Sequence, residues 1–156
     1  MKTLFITFLF SFLFQLALAQ DYRNAKWGDN PETVKANETA VFISKEVIDR
    51  HLSSMSFFEF NEELTYTYIY LFRDNKLYGV RCKISNLNGE NPQYVAINRF
   101  GEYHESYKKL YEDKIVHRVG STDIKGFEIN LADKKIYVNV KQESEGFVLY
   151  ESVFKK

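Results

Sequence analysis

Apolar and polar residues alternate along two neighbouring segments in the middle of the chain. Every second residue from Leu64 to Phe72 is apolar or aromatic, and the same period returns between residues 77 and 84. A period of two is typical of a β-strand with one buried face. Because Asp74 and Asn75, two residues of turn-forming type, separate the segments, the pattern predicts a β-hairpin.

Shorter segments of the same kind predict more strands on both sides of this hairpin. The additional strands are predicted at residues 40–44, 57–60, 115–119, 127–131, 136–140 and 147–154. Turn-forming residues at 133–134 and 143–146 separate the last three of them. The end of the chain is therefore predicted to consist of antiparallel hairpins as well.

Two Asn-Pro pairs, Asn30-Pro31 and Asn91-Pro92, are typical of helix starts, with Asn as the cap and Pro at the first helical position. The first helix is predicted at 31–38 and the second at about 92–112. The second carries an aromatic stripe at steps of three and four residues, formed by Tyr94, Ile97, Phe100, His104, Tyr107 and Tyr111. A further helical turn is predicted at 45–52 from the spacing of its apolar residues.

Helices that are separate from hairpin-linked strands predict an α+β domain, in which one long helix covers one face of an antiparallel sheet. An internal repeat is a further possibility. Residues 30–34 match 91–95, and residues 74–78 resemble 133–137 at a closely similar spacing. This favours two tandem helix-then-hairpin units, although helix starts and turns draw on the same few residue types in any protein.

The start of the chain has the composition of an export signal. Lys2 precedes an uncharged apolar run at 4–18, and small residues occupy the positions of an A-x-A cleavage site before Gln20. These are the three parts of a secretory signal peptide. A membrane-spanning helix needs about 20 apolar residues, so we interpret the run as a signal and not as an anchor.

We therefore predict cleavage between Ala19 and Gln20. Residues 1–19 form the signal peptide, and 20–156 form a single domain that is periplasmic or secreted, with no stable membrane insertion after cleavage. No cysteine directly follows the apolar run, which excludes the lipid attachment that bacterial lipoproteins carry at that position.

Composition narrows the classes of partner and the source of stability. Lys and Arg total 21, as do Asp and Glu, so no excess of positive charge favours nucleic acid or an anionic membrane as a partner. Cys82 is the only cysteine, which excludes an intramolecular disulfide. Its strand phase places it on the apolar face. Stability is therefore expected from packing of the many aromatic side chains.

No motif for catalysis, a cofactor or a metal is found. The three histidines, His51, His104 and His117, are far apart in sequence, and no spacing of Cys and His residues matches a metal site. A glycine-rich phosphate loop and a nucleophile elbow are also absent from the sequence. We therefore predict no catalytic residues, no cofactor and no enzymatic activity.

Three tyrosines are candidate residues for a binding surface. Tyr66, Tyr68 and Tyr70 share one face of a predicted strand with Leu64 and Phe72. The row forms either the core side of a central strand or an exposed aromatic surface that binds a glycan or a protein.

The chain resembles a loose group of small exported bacterial proteins. The resemblance rests on Trp27-Gly28-Asp29-Asn30, which leads to Val34 and Glu38, and on the hairpin sequence at 72–78. The helix-plus-hairpin unit is also similar to the fold shared by the outer-membrane assembly lipoprotein BamE and the β-lactamase inhibitor protein. This chain departs from that pattern, because it has no lipobox cysteine and its long helix ends without a Tyr-Gly-x-Pro sequence. The resemblance implies a fold and an exported location, and no residue-level role.

These observations favour a non-enzymatic module of the bacterial envelope or extracellular space that binds another protein or a cell-surface component. A first alternative is an inhibitor or immunity-type protein that inserts a loop, at 86–91 or 120–126, into the cleft of an enzyme. A second alternative is a small hydrolase without a recognisable motif, which requires a pocket with converging polar groups.

Overall fold

The computed structural model of the chain describes residues 21–61, 64–85, 91–118, 120, 123–144 and 146–156. The predicted signal peptide, with Ala19 and Gln20, lies outside the described residues. Residues 86–90 of the first candidate loop and residues 121–122 of the second also lie outside them.

Both Asn-Pro pairs begin helices, as the sequence predicts. Helix α1 spans Pro31–Asn37 and α2 spans Pro92–Tyr111, and the 3-10 turn Glu112–Lys114 follows α2. The Asn30 side chain accepts a hydrogen bond from the Thr33 amide at 2.9 Å, and the Asn91 side chain accepts one from the Tyr94 amide at 3.1 Å. Each cap satisfies an amide that the first turn of a helix leaves without a partner.

Within the residues that the structure describes, eight strands form one antiparallel sheet. They are β1 (Val41–Val47), β2 (Leu52–Asn61), β3 (Leu64–Arg73), β4 (Lys76–Ser85), β5 (Ile115–His117), β6 (Asp123–Asn130), β7 (Lys134–Glu143) and β8 (Gly146–Lys155). Their order in the sheet is β1-β2-β3-β4-β8-β7-β6-β5. The α+β class with an antiparallel sheet is therefore what the described chain has.

The predicted hairpin at 64–84 is formed by β3 and β4. Asp74 and Asn75 occupy its turn with φ angles of 48° and 63°, and Arg73 pairs with Lys76. Positive φ at both central residues matches the right-handed twist of the flanking strands. Asp and Asn tolerate this conformation better than most residues, which is why the local sequence was sufficient to locate the turn.

The helical turn predicted at 45–52 is wrong. Strand β1 continues through Val47, and β2 begins at Leu52. Between them the Asp49 carboxylate accepts hydrogen bonds from the amides of His51 and Leu52 at 2.7 and 2.8 Å, which closes a turn. Ile48 is 61% exposed. The spacing of Val47, Ile48 and Leu52 predicted the buried face of a helix. In the structure Val47 and Ile48 are exposed, because they lie at the end of the edge strand β1.

Each helix is followed by four strands, and the two sets of four occupy opposite halves of the sheet. The two helix starts therefore hold equivalent positions. The similarity between residues 74–78 and 133–137 does not mark equivalent turns, because Asp74 lies between the third and fourth strands of its set. Asp133 lies between the second and third strands of the other set.

The prediction that one long helix covers the sheet is not supported. Helix α2 packs on β8, β7 and β4. The other half of the same face is covered by α1 and by the lead-in segment, which we define as residues 21–29. This segment is fixed by backbone hydrogen bonds that join Gly28 and Asp29 to Leu77, at 3.0 and 2.9 Å. An eight-stranded sheet is too wide for a single helix about 10 Å across.

The face of the sheet that α1, α2 and the lead-in segment cover is called here the inner face. The core lies between this inner face and the helices. It is formed by alternate strand residues such as Met55, Phe57, Tyr70, Val80, Val138, Phe127 and Leu149. Phe100 of α2 packs edge-on against Phe127, with ring centroids 5.5 Å apart. Cys82 also faces this core and is 2% exposed. Within the described residues, no helix is both long and apolar enough to cross a membrane.

Gly126 and Gly101 differ in the space around them, and this difference predicts opposite effects of an alanine substitution on stability. A Cβ added at Gly126 in β6 would lie 2.4 Å from the Arg118 carbonyl oxygen, whereas one at Gly101 in α2 would contact nothing within 4 Å. We expect Gly126→Ala to lower the free energy of unfolding by about 1–3 kcal/mol, because a backbone atom must move. Gly101→Ala should raise it by about 1 kcal/mol through helix propensity. Urea titration of both variants measures this, and equal effects would contradict it.

Candidate functional site

The side of the sheet opposite the helices, called here the outer face, carries a polar groove. This groove has a volume of about 410 Å³ and is lined mainly by residues of β4, β6, β7 and β8. Among its polar and aromatic lining residues are Arg81, Arg118, Tyr137, Asn139, Lys141 and Tyr150. A volume of this size falls in the range of small-molecule sites.

Strand pairing brings the groove residues together. Arg81 of β4 lies opposite Ser152 of β8, and Ser152 lies opposite Tyr137 of β7. Tyr150 lies opposite Asn139 in the same way. Because side chains of paired residues project from the same face of a sheet, these groups line one continuous surface.

Most cations in and beside the groove are neutralised by carboxylates. The Lys83 ammonium lies 2.8 Å from Glu143, and the Lys141 ammonium lies 3.5 Å from Asp123. The Arg118 guanidinium lies 3.2 Å from the buried carboxylate of Glu128.

Tyr150 and Glu143 form a coupled pair beside these ions. The Tyr150 hydroxyl donates a hydrogen bond to the Glu143 carboxylate. Hydrogen bonds from Lys83 and then from Tyr150 lower the pKa of Glu143, so this carboxylate is ionised at neutral pH. Burial raises the pKa of the Tyr150 hydroxyl. The hydrogen bond to Glu143 fixes the position of the Tyr150 ring, which forms one wall of the groove.

Arg81 differs from the other cations of the groove. Its Nε donates a hydrogen bond to the Ser152 hydroxyl at 3.3 Å, and its guanidinium carbon lies 5.9 Å from the centre of the Tyr150 ring. No carboxylate oxygen of the residues that the structure describes lies within 4.0 Å of its nitrogens. Arg81 is an exposed residue, and its terminal guanidinium nitrogens take part in neither of these two contacts. This arrangement can bind an anion.

The tyrosine row lies on the inner face. Tyr70 is 1% exposed and Tyr68 is 7% exposed, whereas Tyr66 is partly buried. The Arg23 guanidinium covers the Tyr68 ring at 4.0 Å, and the Tyr70 hydroxyl donates to the Glu38 carboxylate. Tyr68 and Tyr70 therefore belong to the core and do not form an exposed binding surface. Of the three tyrosines, only Tyr66 retains an accessible ring.

Glu38 holds the lead-in segment and α1 to this row. Its side chain is 1% exposed, and it accepts hydrogen bonds from the amides of Thr39 and Ala40 at 2.8 and 2.9 Å and from Arg23 at 3.1 Å. Burial acts to raise the pKa of Glu38. The hydrogen bonds from Tyr70 and the two amides, with the charge of Arg23, outweigh burial and lower it.

Two histidines that are distant in sequence meet in the fold. The His104 and His117 rings stack with centroids 5.2 Å apart, while Nδ1 of His51 lies 2.6 Å from the Asp74 carboxylate at the other end of the molecule. In the described part of the chain, no group of three or more His, Cys, Asp or Glu residues is placed to hold a metal ion.

Sequence reasoning missed the groove. Arg81 and Tyr150 belong to different hairpins, and nothing local indicates that β4 and β8 are neighbours. One signal was present, since Arg81 and Lys83 occupy the polar phase of a strand whose other phase is apolar. The arginine in this polar phase could therefore have been identified from the sequence, whereas its aromatic neighbours on β7 and β8 could not.

Comparison of the chain with protein-family models, with curated proteins and with solved structures finds no match. The resemblance to BamE and the β-lactamase inhibitor protein therefore stays a prediction.

Proposed function

We propose that this protein is an exported, non-enzymatic binding module whose outer groove recognises an acidic saccharide of the cell surface. The observation that carries the proposal is Arg81, an exposed residue that lines the groove and has no carboxylate partner among the described residues. Guanidinium groups bind carboxylates through paired, charge-assisted hydrogen bonds.

The surroundings of Arg81 favour a sugar over a simple anion. Tyr137 lies directly opposite Ser152 on β7, and Tyr150 lies two residues before Ser152 on β8, so both aromatic rings line the groove beside Ser152. Aromatic faces pack against the apolar face of a sugar ring, and short polar side chains bind its hydroxyl groups. Asn139 and Ser152 supply such groups within the same groove. A ring that carries a carboxylate would use both chemistries at once.

The export prediction supports the choice of a cell-surface ligand. A signal peptide at 1–19 would deliver the domain to the periplasm or the cell exterior, where acidic saccharides are accessible. The groove lies on the face of the sheet that the helices leave open, so a saccharide chain could enter from solvent.

Titration with D-glucuronate, with D-glucose as the uncharged counterpart, tests this function. We expect backbone amide NMR shifts confined to β4, β7 and β8, and tighter binding of glucuronate. Arg81→Gln should weaken glucuronate binding about tenfold or more, because a charge-assisted hydrogen bond contributes about 1.5–3 kcal/mol.

Arg50→Gln serves as the matched control. Arg50 is exposed in the turn between β1 and β2 and lies outside the groove lining, so its replacement should leave the affinity unchanged. Equal binding of glucose and glucuronate, or the same loss in both variants, would refute the proposed function. Shifts centred on the inner face would do so as well.

A further inference from the structure

The covered side of the sheet contains a second cavity, independent of the outer groove. A cleft of about 400 Å³ runs along one side of α2. Glu102, Tyr103, Ser106, Tyr107 and Leu110 line it from the helix, and Glu151 lines it from β8. Residues at these spacings share one side of a helix.

Glu151 is a buried acid that has no cationic partner among the described residues. It is 9% exposed, the Tyr22 hydroxyl donates to one carboxylate oxygen at 3.0 Å, and the Tyr107 hydroxyl donates to the other. Both donors are neutral. No Lys, Arg or His nitrogen of the described chain lies within 4.0 Å of this carboxylate.

An isolated carboxylate in such surroundings is energetically unfavourable. Burial raises the pKa of Glu151, against the effect of the hydrogen bonds from Tyr107 and Tyr22. Removal of an ion from water is unfavourable, and an opposite charge at contact distance offsets much of the cost. The position thus favours a ligand that brings a positive charge.

The rest of the cleft matches the body of such a ligand. Of the six described residues that line it, two are acidic and none is basic. Glu102, the other acid, already pairs with Arg99 at 2.7 Å, so Glu151 supplies the uncompensated charge. Tyr103 and Tyr107 place aromatic rings with centroids 6.4 Å apart, and Leu110 adds apolar surface that is 69% exposed.

We propose that this cleft binds an apolar organic cation, with its ammonium group at Glu151 and its apolar body against Tyr103, Tyr107 and Leu110. Aromatic rings attract cations through their π faces, and this attraction is strongest away from water. The charge of Glu151 and the apolar lining of the cleft select the same class, an amine with a hydrophobic substituent.

The probe pair is 2-phenylethylamine and 2-phenylethanol, which are similar in size and differ in charge. By isothermal titration of the folded domain we expect the amine to bind about tenfold more tightly than the alcohol, because only the amine forms the ion pair. Glu151→Gln should abolish this preference. Glu105→Gln should retain it, since Glu105 is an exposed acid of α2 that lies outside the cleft lining.

Ser106→Trp provides a test that does not depend on the stability of the Glu151 variant. Ser106 is exposed and lines the cleft, so an indole there should occupy part of the space that the probe's apolar body needs and weaken both probes about tenfold or more. Equal affinity for amine and alcohol would overturn the proposal. A preference that survives in folded Glu151→Gln, or unchanged amine binding in Ser106→Trp, would also overturn it. These results leave the outer groove untouched, so its function is tested separately.

Discussion

Replacement of Phe127 with alanine is expected to lower the free energy of unfolding by about 3–5 kcal/mol, the range for a large buried aromatic side chain. Phe127 is 2% exposed. Its ring contacts Phe100, His104 and Tyr107 of α2 at centroid distances of 5.5, 5.5 and 5.9 Å. Its removal leaves a cavity where α2 is anchored to β6, and the rigid sheet beneath can close that cavity only in part.

Phe60→Ala is the control for this change. Phe60 is also a strand phenylalanine, but it is 56% exposed, so the same truncation should cost less than about 1 kcal/mol. Chemical denaturation monitored by far-UV circular dichroism gives both values. Similar losses in the two variants would show that α2 is not held through the Phe127 cluster.

The second large effect is expected from Glu38→Ala, at about 2–4 kcal/mol. The change removes the acceptor for the Tyr70 hydroxyl and for the amides of Thr39 and Ala40, and it removes one of the two carboxylates that contact Arg23. Buried donors without partners, and a charge that loses its counterion, are both destabilising.

Glu32→Ala is the matched control. The Glu32 side chain is 78% exposed and lies 3.6 Å from Lys45, and exposed ion pairs contribute less than about 1 kcal/mol. The two acids belong to the same short segment of chain, so the comparison separates the buried network from a general loss of negative charge. Equal destabilisation by the two substitutions would exclude Glu38 as the link between the lead-in segment and the sheet.

The effect of Glu38 also has a defined pH dependence. Because its pKa is lowered in the folded state, its contribution is fully present above the unfolded value of about 4.3 and is lost as pH falls through the folded value. The stability difference between wild type and Glu38→Ala should therefore shrink as the pH is lowered below about 4. A difference that is constant from pH 7 to pH 3 would contradict an ionised, networked Glu38.

Glu151 has the opposite dependence on pH. Its pKa is raised in the folded state by burial, so the stability associated with its protonation is present at low pH and is lost as pH rises through the folded value. The wild-type stability profile combines both acids. Measurement by difference against Glu38→Ala isolates the Glu38 contribution.

The two candidate sites lie on opposite faces of one sheet and have opposite electrostatic character. Arg81 offers positive charge on the outer face, and Glu151 offers negative charge on the inner face. Their cross-strand partners are close, since Glu151 pairs with Cys82 and Ser152 pairs with Arg81. Adjacent residues of a strand point to opposite faces, so a single step along β4 or β8 separates the two sites.

The sequence by itself determined the features that depend on neighbours in the chain. The helix starts at Asn30 and Asn91, the β3–β4 turn at Asp74-Asn75 and the inward phase of Cys82 all follow from capping, turn conformation and a period of two. Each is decided within a few residues, where local hydrogen bonds and backbone preferences dominate.

Only the tertiary structure decided which residues meet across the sheet. Residues 147–154 are apolar or aromatic on both strand phases apart from Glu151 and Ser152, so periodicity could not assign Glu151 to the inner face or Tyr150 to the outer one. Burial on both sides follows from the central place of β8, between β4 and β7. That place results from long-range pairing, whose free energy depends on the packing of the whole sheet and not on any local pattern.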